Sequence, residues 1–163
     1  PILLGAALVI PAGLLAQLQG QEIQASADLF ARQKKAVEEA AMQAVMEDER
    51  KSGYLPVDVH CENLGWDIES AIPGTGKLRF IEVKGRIESA DTVTISKNEI
   101  LAGLNKPEDY WLVVVPVYFE GEVCLARKPQ YVRMPFKREP DFAATSVNYK
   151  ISDLIANQTN APL

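Results

Sequence analysis

The sequence predicts a sheet with helices packed on it, in the α/β or α+β class. Three observations carry that expectation. A helix-period pattern spans residues 26 to 51, a series of short alternating stretches runs from 57 to 95, and a second short helical segment precedes a strongly apolar, β-branched run at Tyr110–Tyr118. Helix, strands, helix, strand is the order of a sheet covered by helices.

Taken in chain order, the first eighteen residues are uncharged, but no basic segment precedes them and Gly5, Pro11 and Gly13 interrupt the run. A signal peptide or membrane span is therefore not expected. Leu3 to Ile10 reads as a buried strand or extended segment, and a short helix is expected from Pro11, since proline suits a first helical turn. The chain begins without Met, so a piece of a longer protein is the simpler expectation, with residues 1–25 as a linker or extension. Phe30, Val37, Ala41, Ala44 and Val45 share one side of the helix at 26–51, with Ser26 as its N-cap and Gly53 just past its end. Strands follow at Val57–Asn63 and Trp66–Ile72, joined at Leu64-Gly65, then at Lys77–Lys84 and Thr92–Ile95. Lys97–Asn105 reads as a short helix closed by Pro107. Tyr110–Tyr118 should be a central strand, with Val123–Ala126 its neighbour. A core of residues 26–128 is thus followed by a proline-rich extension, 129–163, that wraps the surface and ends in a small helix near 150–157.

Composition narrows the classes. With 163 residues, 47% of them hydrophobic and 24% charged, the chain is long enough for one ordinary globular domain. Its net charge of −5 argues against a bare polyanion binder, although basic residues bunch at 77–86 and 127–138 and can line one cleft. Cys61 and Cys124 show neither CxxC nor Cys/His spacing, so no disulfide framework or zinc site is indicated and a reducing, cytoplasmic setting is the default expectation.

The stretch Pro73-Gly-Thr-Gly-Lys77 invites a phosphate-loop reading. That motif needs a glycine where Ala71 stands, a hydroxyl where Leu78 stands, and a following helix, whereas Lys77–Lys84 alternates like a strand. Residues 73–76 are better read as a tight turn between strands. The next stretch carries chemistry instead. Glu82 and Lys84, two apart on a strand, point to one face while Val83 points to the core. Asp67, on the strand across the turn, can join them. A carboxylate pair suits magnesium, and a lysine beside the ion can orient water and offset phosphate charge. The bland alternative is a solvated strand face, because an acid-x-Lys triplet is common.

Context favours the site. Val37-Glu-Glu-Ala-Ala-Met-Gln-Ala-Val-Met-Glu-Asp-Glu-Arg50, Gly65-Trp-Asp-Ile-Glu-Ser70, Leu78-Arg-Phe-Ile-Glu-Val-Lys-Gly-Arg86, Thr92-Val-Thr-Ile-Ser96, Asn98-Glu-Ile-Leu101 and Tyr110-Trp-Leu-Val-Val-Val115 together resemble the NO VEIN C-terminal family, a domain of unknown function. The resemblance spans roughly residues 30–118. It implies a restriction-endonuclease-like fold, a central mixed sheet flanked by helices, of the PD-(D/E)XK superfamily, placed at the C-terminus of SWI/SNF-type helicases. The superfamily's metal-binding acids then fall on Asp67 and Glu82 and its lysine on Lys84; Trp66 stands where the naming proline would be. Members also place an acid on the first helix, which Glu38 fits, with Glu49 returning to the same side. The resemblance thus implies Mg2+ or Mn2+ as cofactor, DNA and a helicase-like ATPase region of the same chain as partners, and no membrane.

Two further residues have plainer readings. Ser96 and Glu99 match the S-x-x-E capping box, leaving Asn98 as a minor candidate for phosphate contact at the helix start. His60, between Val59 and Cys61, reads as a packed strand histidine without a catalytic partner. Two functions therefore stand side by side: metal-dependent phosphodiester hydrolysis, and a non-catalytic DNA-binding or protein-interaction module attached to a helicase motor.

Overall fold

The computed structural model describes residues 23–156, with side chains from Leu29 onward. The expected strand at Leu3–Ile10 and helix from Pro11 lie outside the described residues. Contacts divide the chain into two units, 1–35 and 36–163. Described residues of the first are helical. The remaining architecture belongs to the second.

Helix α1 spans Ile23–Lys51, so Ser26 lies inside it rather than capping it. Gln24 and Ala25 are good helix formers, and their propensity carries the helix past a weak capping signal. Strand β1, Leu55–Asp58, is shorter than the Val57–Asn63 strand expected, and it is followed by a 3-10 turn at His60–Glu62. The Asp58 carboxylate accepts the His60 backbone N–H at 3.1 Å, a local bond that turns the chain out of the ladder. Next come β2 (Ile68–Ile72), β3 (Lys77–Ile87), β4 (Thr92–Ser96), helix α2 (Lys97–Asn105), β5 (Tyr110–Glu120) and β6 (Val123–Ala126). The tail supplies β7 (Gln130–Arg133), β8 (Ser146–Lys150) and helix α3 (Ile151–Ala156).

The main sheet has the order β1-β2-β3-β5-β6, and β7 pairs with the other half of the β5 edge that β6 uses. Among the described strands only β3 and β5 run parallel, in register from Phe80↔Tyr110 to Ile87↔Val117. Their connection carries α2, as a parallel crossover requires. Strands β4 and β8 form a separate antiparallel ribbon. Among the described residues the fold is a mixed α/β sheet, mostly antiparallel, flanked by three helices.

β5 is buried along most of its length, which explains its unbroken apolar run. Its alternation separates two cores. Tyr110, Leu112 and Val114 pack with Ile95, Ile100, Phe136 and Leu154 on one face, while Val113, Val115 and Val117 pack with Ala41, Val45, Ile68 and Ile81 on the other. Helix α1 covers this second face, and the approach is tight at one point. A Cβ on Gly85 would stand 2.8 Å from the Val37 carbonyl oxygen and 3.0 Å from the Ala41 Cβ. Because helix backbone cannot yield like a side-chain tip, Gly85→Val is expected to destabilise the domain by about 1–3 kcal/mol, as overpacking does, read as a lower denaturation midpoint in urea.

Candidate functional site

Three elements meet on the face opposite α1. Glu82 and Lys84 share that face of β3 with Phe80, while Val83 packs in the core beneath α1, as the alternation predicts. The last β2–β3 register pair is Ile68↔Ile81, so Asp67 sits one step beyond it, opposite Glu82. Its carboxylate accepts the Val83 backbone N–H at 2.9 Å, and its own N–H donates to the Ile81 carbonyl at 2.8 Å. Asp67 is thereby stitched to β3 beside Glu82. The Lys84 ammonium lies 2.6 Å from Glu82 Oε1 and 2.9 Å from Glu99 Oε2. Glu99 belongs to the first turn of α2, whose capping box is formed as expected: Glu99 N–H donates to Ser96 Oγ at 3.3 Å, and Ser96 N–H donates to Glu99 Oε2 at 3.0 Å. One carboxylate thus caps the helix and holds the lysine. S-x-x-E spacing revealed only the first of these roles.

The entry to Asp67 is set by Gly65, whose φ is +91° and whose added Cβ would stand 2.8 Å from the Ala102 Cβ of α2. Tyr110, buried below, donates its hydroxyl to the Gly65 carbonyl at 3.2 Å. Trp66 packs against Phe80 with ring centroids 4.7 Å apart and planes tilted by 60°, and Lys106 lies over both rings. Backbone and side chains therefore fix Asp67 on both sides.

Burial dominates the electrostatics. Glu82 is 3% exposed, and burial lifts its carboxyl to about 8, a shift Lys84 opposes and Asp67 and Glu99 reinforce. Asp67 is also raised by burial, against the pull of the Val83 N–H and Lys84. Burial draws Lys84 down, but Glu82 and Glu99 more than reverse this and leave its ammonium above the ordinary lysine value. Three carboxyls face one ammonium, an arrangement that an added cation would relieve. Hard oxygen donors of this kind suit magnesium or manganese. Among the described residues, no three His, Cys, Asp or Glu side chains converge to form a full metal cage.

The sequence model of the family described as Protein NO VEIN, C-terminal, matches residues 37–131, more than half of the chain. The chain belongs to the NO VEIN C-terminal family. No curated protein and no solved structure matches it. The matched segment takes in Asp67, Glu82, Lys84 and Glu99, and it ends inside β7.

Other candidate residues fall elsewhere in this NO VEIN C-terminal domain. Glu38 is exposed on α1, the helix on the opposite face of the sheet from Glu82 and Lys84. Glu49 is 1% exposed and pairs with Arg79 of β3 at 3.2 Å, also on the α1 side. Helical spacing predicted a shared side for the two acids, but Glu38 is exposed and Glu49 buried, and neither lies on the sheet face that carries Glu82 and Lys84. Asn98 is exposed in the first turn of α2, its amide 3.3 Å from where a Cβ of Gly65 would be. His60 departs most from expectation: it is exposed, in the 3-10 turn, and its Nδ1 lies 2.6 Å from Asp58 Oδ1. The turn at 73–76 is exposed and joins β2 to β3, as expected. No helix among the described residues is long and apolar enough to cross a membrane.

Proposed function

We propose that Asp67, Glu82 and Lys84 form a divalent-cation-dependent site for phosphodiester hydrolysis in DNA, within a restriction-endonuclease-like domain that serves a helicase-type ATPase region of a longer chain. The observation that carries this reading is the placement of Asp67 opposite Glu82, with the Lys84 ammonium 2.6 Å from Glu82. Asp67 and Glu82 would hold magnesium or manganese, with water and phosphate oxygens completing the shell. When bound, the ion supplies Lewis-acid stabilisation of charge at phosphorus and acidifies a water. Lys84 would orient the attacking water and offset phosphate charge. Glu99 keeps the Lys84 ammonium at the rim of the carboxylate pair, and the α2 cap keeps Glu99 in place.

One observation favours a non-catalytic DNA-binding or protein-interaction module: both Glu82 and Glu99 already engage Lys84, at 2.6 and 2.9 Å. A lysine closed between two acids can be purely structural. Cleavage assays separate the readings. Single-stranded and flap DNA, offered with magnesium and with manganese, should be cut by the wild type and spared by Glu82→Ala; equal cutting by both proteins would mean the activity lies elsewhere. The net charge of −5 makes weak turnover on plain duplex the expectation, since phosphate neutralisation supplies most non-specific affinity.

A pH dependence follows from Glu82. A proton and a metal ion compete for its carboxylate, so below about 8 apparent metal affinity should rise by about tenfold per pH unit and level off above it. Manganese titrations from pH 6 to 9 would show the slope, and a flat profile would contradict a role for Glu82 as ligand.

A further inference from the structure

The turn after β1 holds a nucleophile, a base and an orienting acid in a row. Cys61 Sγ lies 3.2 Å from His60 Nε2, and His60 Nδ1 lies 2.6 Å from Asp58 Oδ1. The same Asp58 oxygen accepts the His60 backbone N–H at 3.1 Å, which fixes the turn and the imidazole together. With Nδ1–H donated to Asp58, the lone pair on Nε2 faces the thiol, the tautomer a general base needs. A nucleophile within reach of a base that a third group orients is the diagnostic arrangement for an activated side chain. All three residues are exposed, so a small electrophile reaches the sulfur without a binding pocket.

We propose that Cys61 is an activated thiol, served by His60 and Asp58, that small hydroperoxides oxidise to a sulfenic acid. The thiol proton passes to His60 Nε2, and the thiolate sulfur attacks the terminal peroxide oxygen. An S–O bond forms as the O–O bond breaks, sulfur loses two electrons, and the departing alkoxide or hydroxide takes the proton from His60 to leave as alcohol or water. The charged groups facing the imidazole support the proton's transfer. Asp58, from β1, raises His60 through its hydrogen bond and its charge, slight burial opposes this, and Asp67, at the entry to β2, adds to the rise. Val59 N–H donates to the Asp67 carbonyl at 2.8 Å, which keeps the turn beside β2. Cys124, the chain's other cysteine, is half-buried on β6 and its thiol is raised by burial. It serves as an internal control.

Iodoacetamide labelling followed by peptide mass spectrometry, from pH 6 to 9, tests the relay. At pH 7 Cys61 should label about tenfold or more faster than Cys124, and His60→Gln should slow Cys61 by a similar factor while Cys124 is unchanged. Asp58→Asn should slow Cys61 to a lesser degree, and His60→Gln, being an exposed substitution, should retain the wild-type circular dichroism. Equal Cys61 rates in wild type and His60→Gln would overturn the proposal. Hydrogen peroxide with dimedone trapping tests the oxidant: a Cys61 adduct in the wild type that falls in His60→Gln is expected, and no adduct would overturn it.

Discussion

Glu82→Ala should lower metal-dependent cleavage by at least about a hundredfold, since even residues that only support a metal ligand are worth 10–100-fold. The fold should survive, and its pH response should change in a defined direction. In the folded domain the Glu82 carboxyl is pushed up to about 8, against an ordinary value of 4.5. Between those values the folded state keeps a proton that the unfolded chain has released, so the contribution of Glu82 to stability is full below about 4.5 and is lost as pH rises through 8. Glu82→Gln, which preserves shape and cannot ionise, should therefore gain on the wild type from pH 5 to pH 8. Urea denaturation at pH 5, 6.5 and 8 would show the two curves separating. A buried acid that costs stability at neutral pH, yet stands beside a second acid and a lysine, is what a functional site predicts of its residues. Parallel curves would place Glu82 among ordinary paired carboxylates.

Arg79→Ala should produce the largest loss of stability. Its guanidinium bonds Glu49 at 3.2 Å and lies over the rings of Tyr54, Trp111 and Tyr131 at 4.7, 4.3 and 5.6 Å. Truncation strands Glu49, which is 1% exposed, without its countercharge. Removing one partner of a buried pair costs about 3–5 kcal/mol, because the remaining charge stays desolvated. Replacing both residues with leucine removes the stranded charge and should recover much of that loss. The exposed Arg127–Glu88 pair, at 2.6 Å, is the contrast: Arg127→Ala should leave the urea midpoint unchanged. If the two arginine variants lost equal stability, the anchoring of α1 through Glu49 would be refuted.

The sequence made the site's strand chemistry legible because strand geometry is local. Alternation alone places Glu82 and Lys84 on one face, and a turn of four residues brings Asp67 across from them. The capping box of α2 and the buried β5 run were legible for the same reason. Contacts that depend on chain-distant neighbours were not. Glu49 and Arg79 are thirty residues apart, and only the packing of α1 on β3 joins them. Strand β7 is short and flanked by Pro129 and Pro135, and β8, though Ser146–Lys150 alternates, is only five residues long, so neither signalled its pairing with β5 or β4. Glu99 satisfied a local rule, which concealed its long-range partner Lys84. At His60 a local interaction competed with a strand pattern and won, because the Asp58 side chain offered the backbone another partner.

Asp67 and Glu82 together are expected to bind a divalent cation beside Lys84, and calorimetric titration with manganese at pH 7 is the decisive measurement. Run in buffers of different ionisation enthalpy, the titration also counts protons. One saturable site is expected in the wild type, with release of close to one proton from Glu82 on binding and loss of both signals in Glu82→Ala. Absence of saturable binding, or the same binding and proton release in Glu82→Ala, would contradict it.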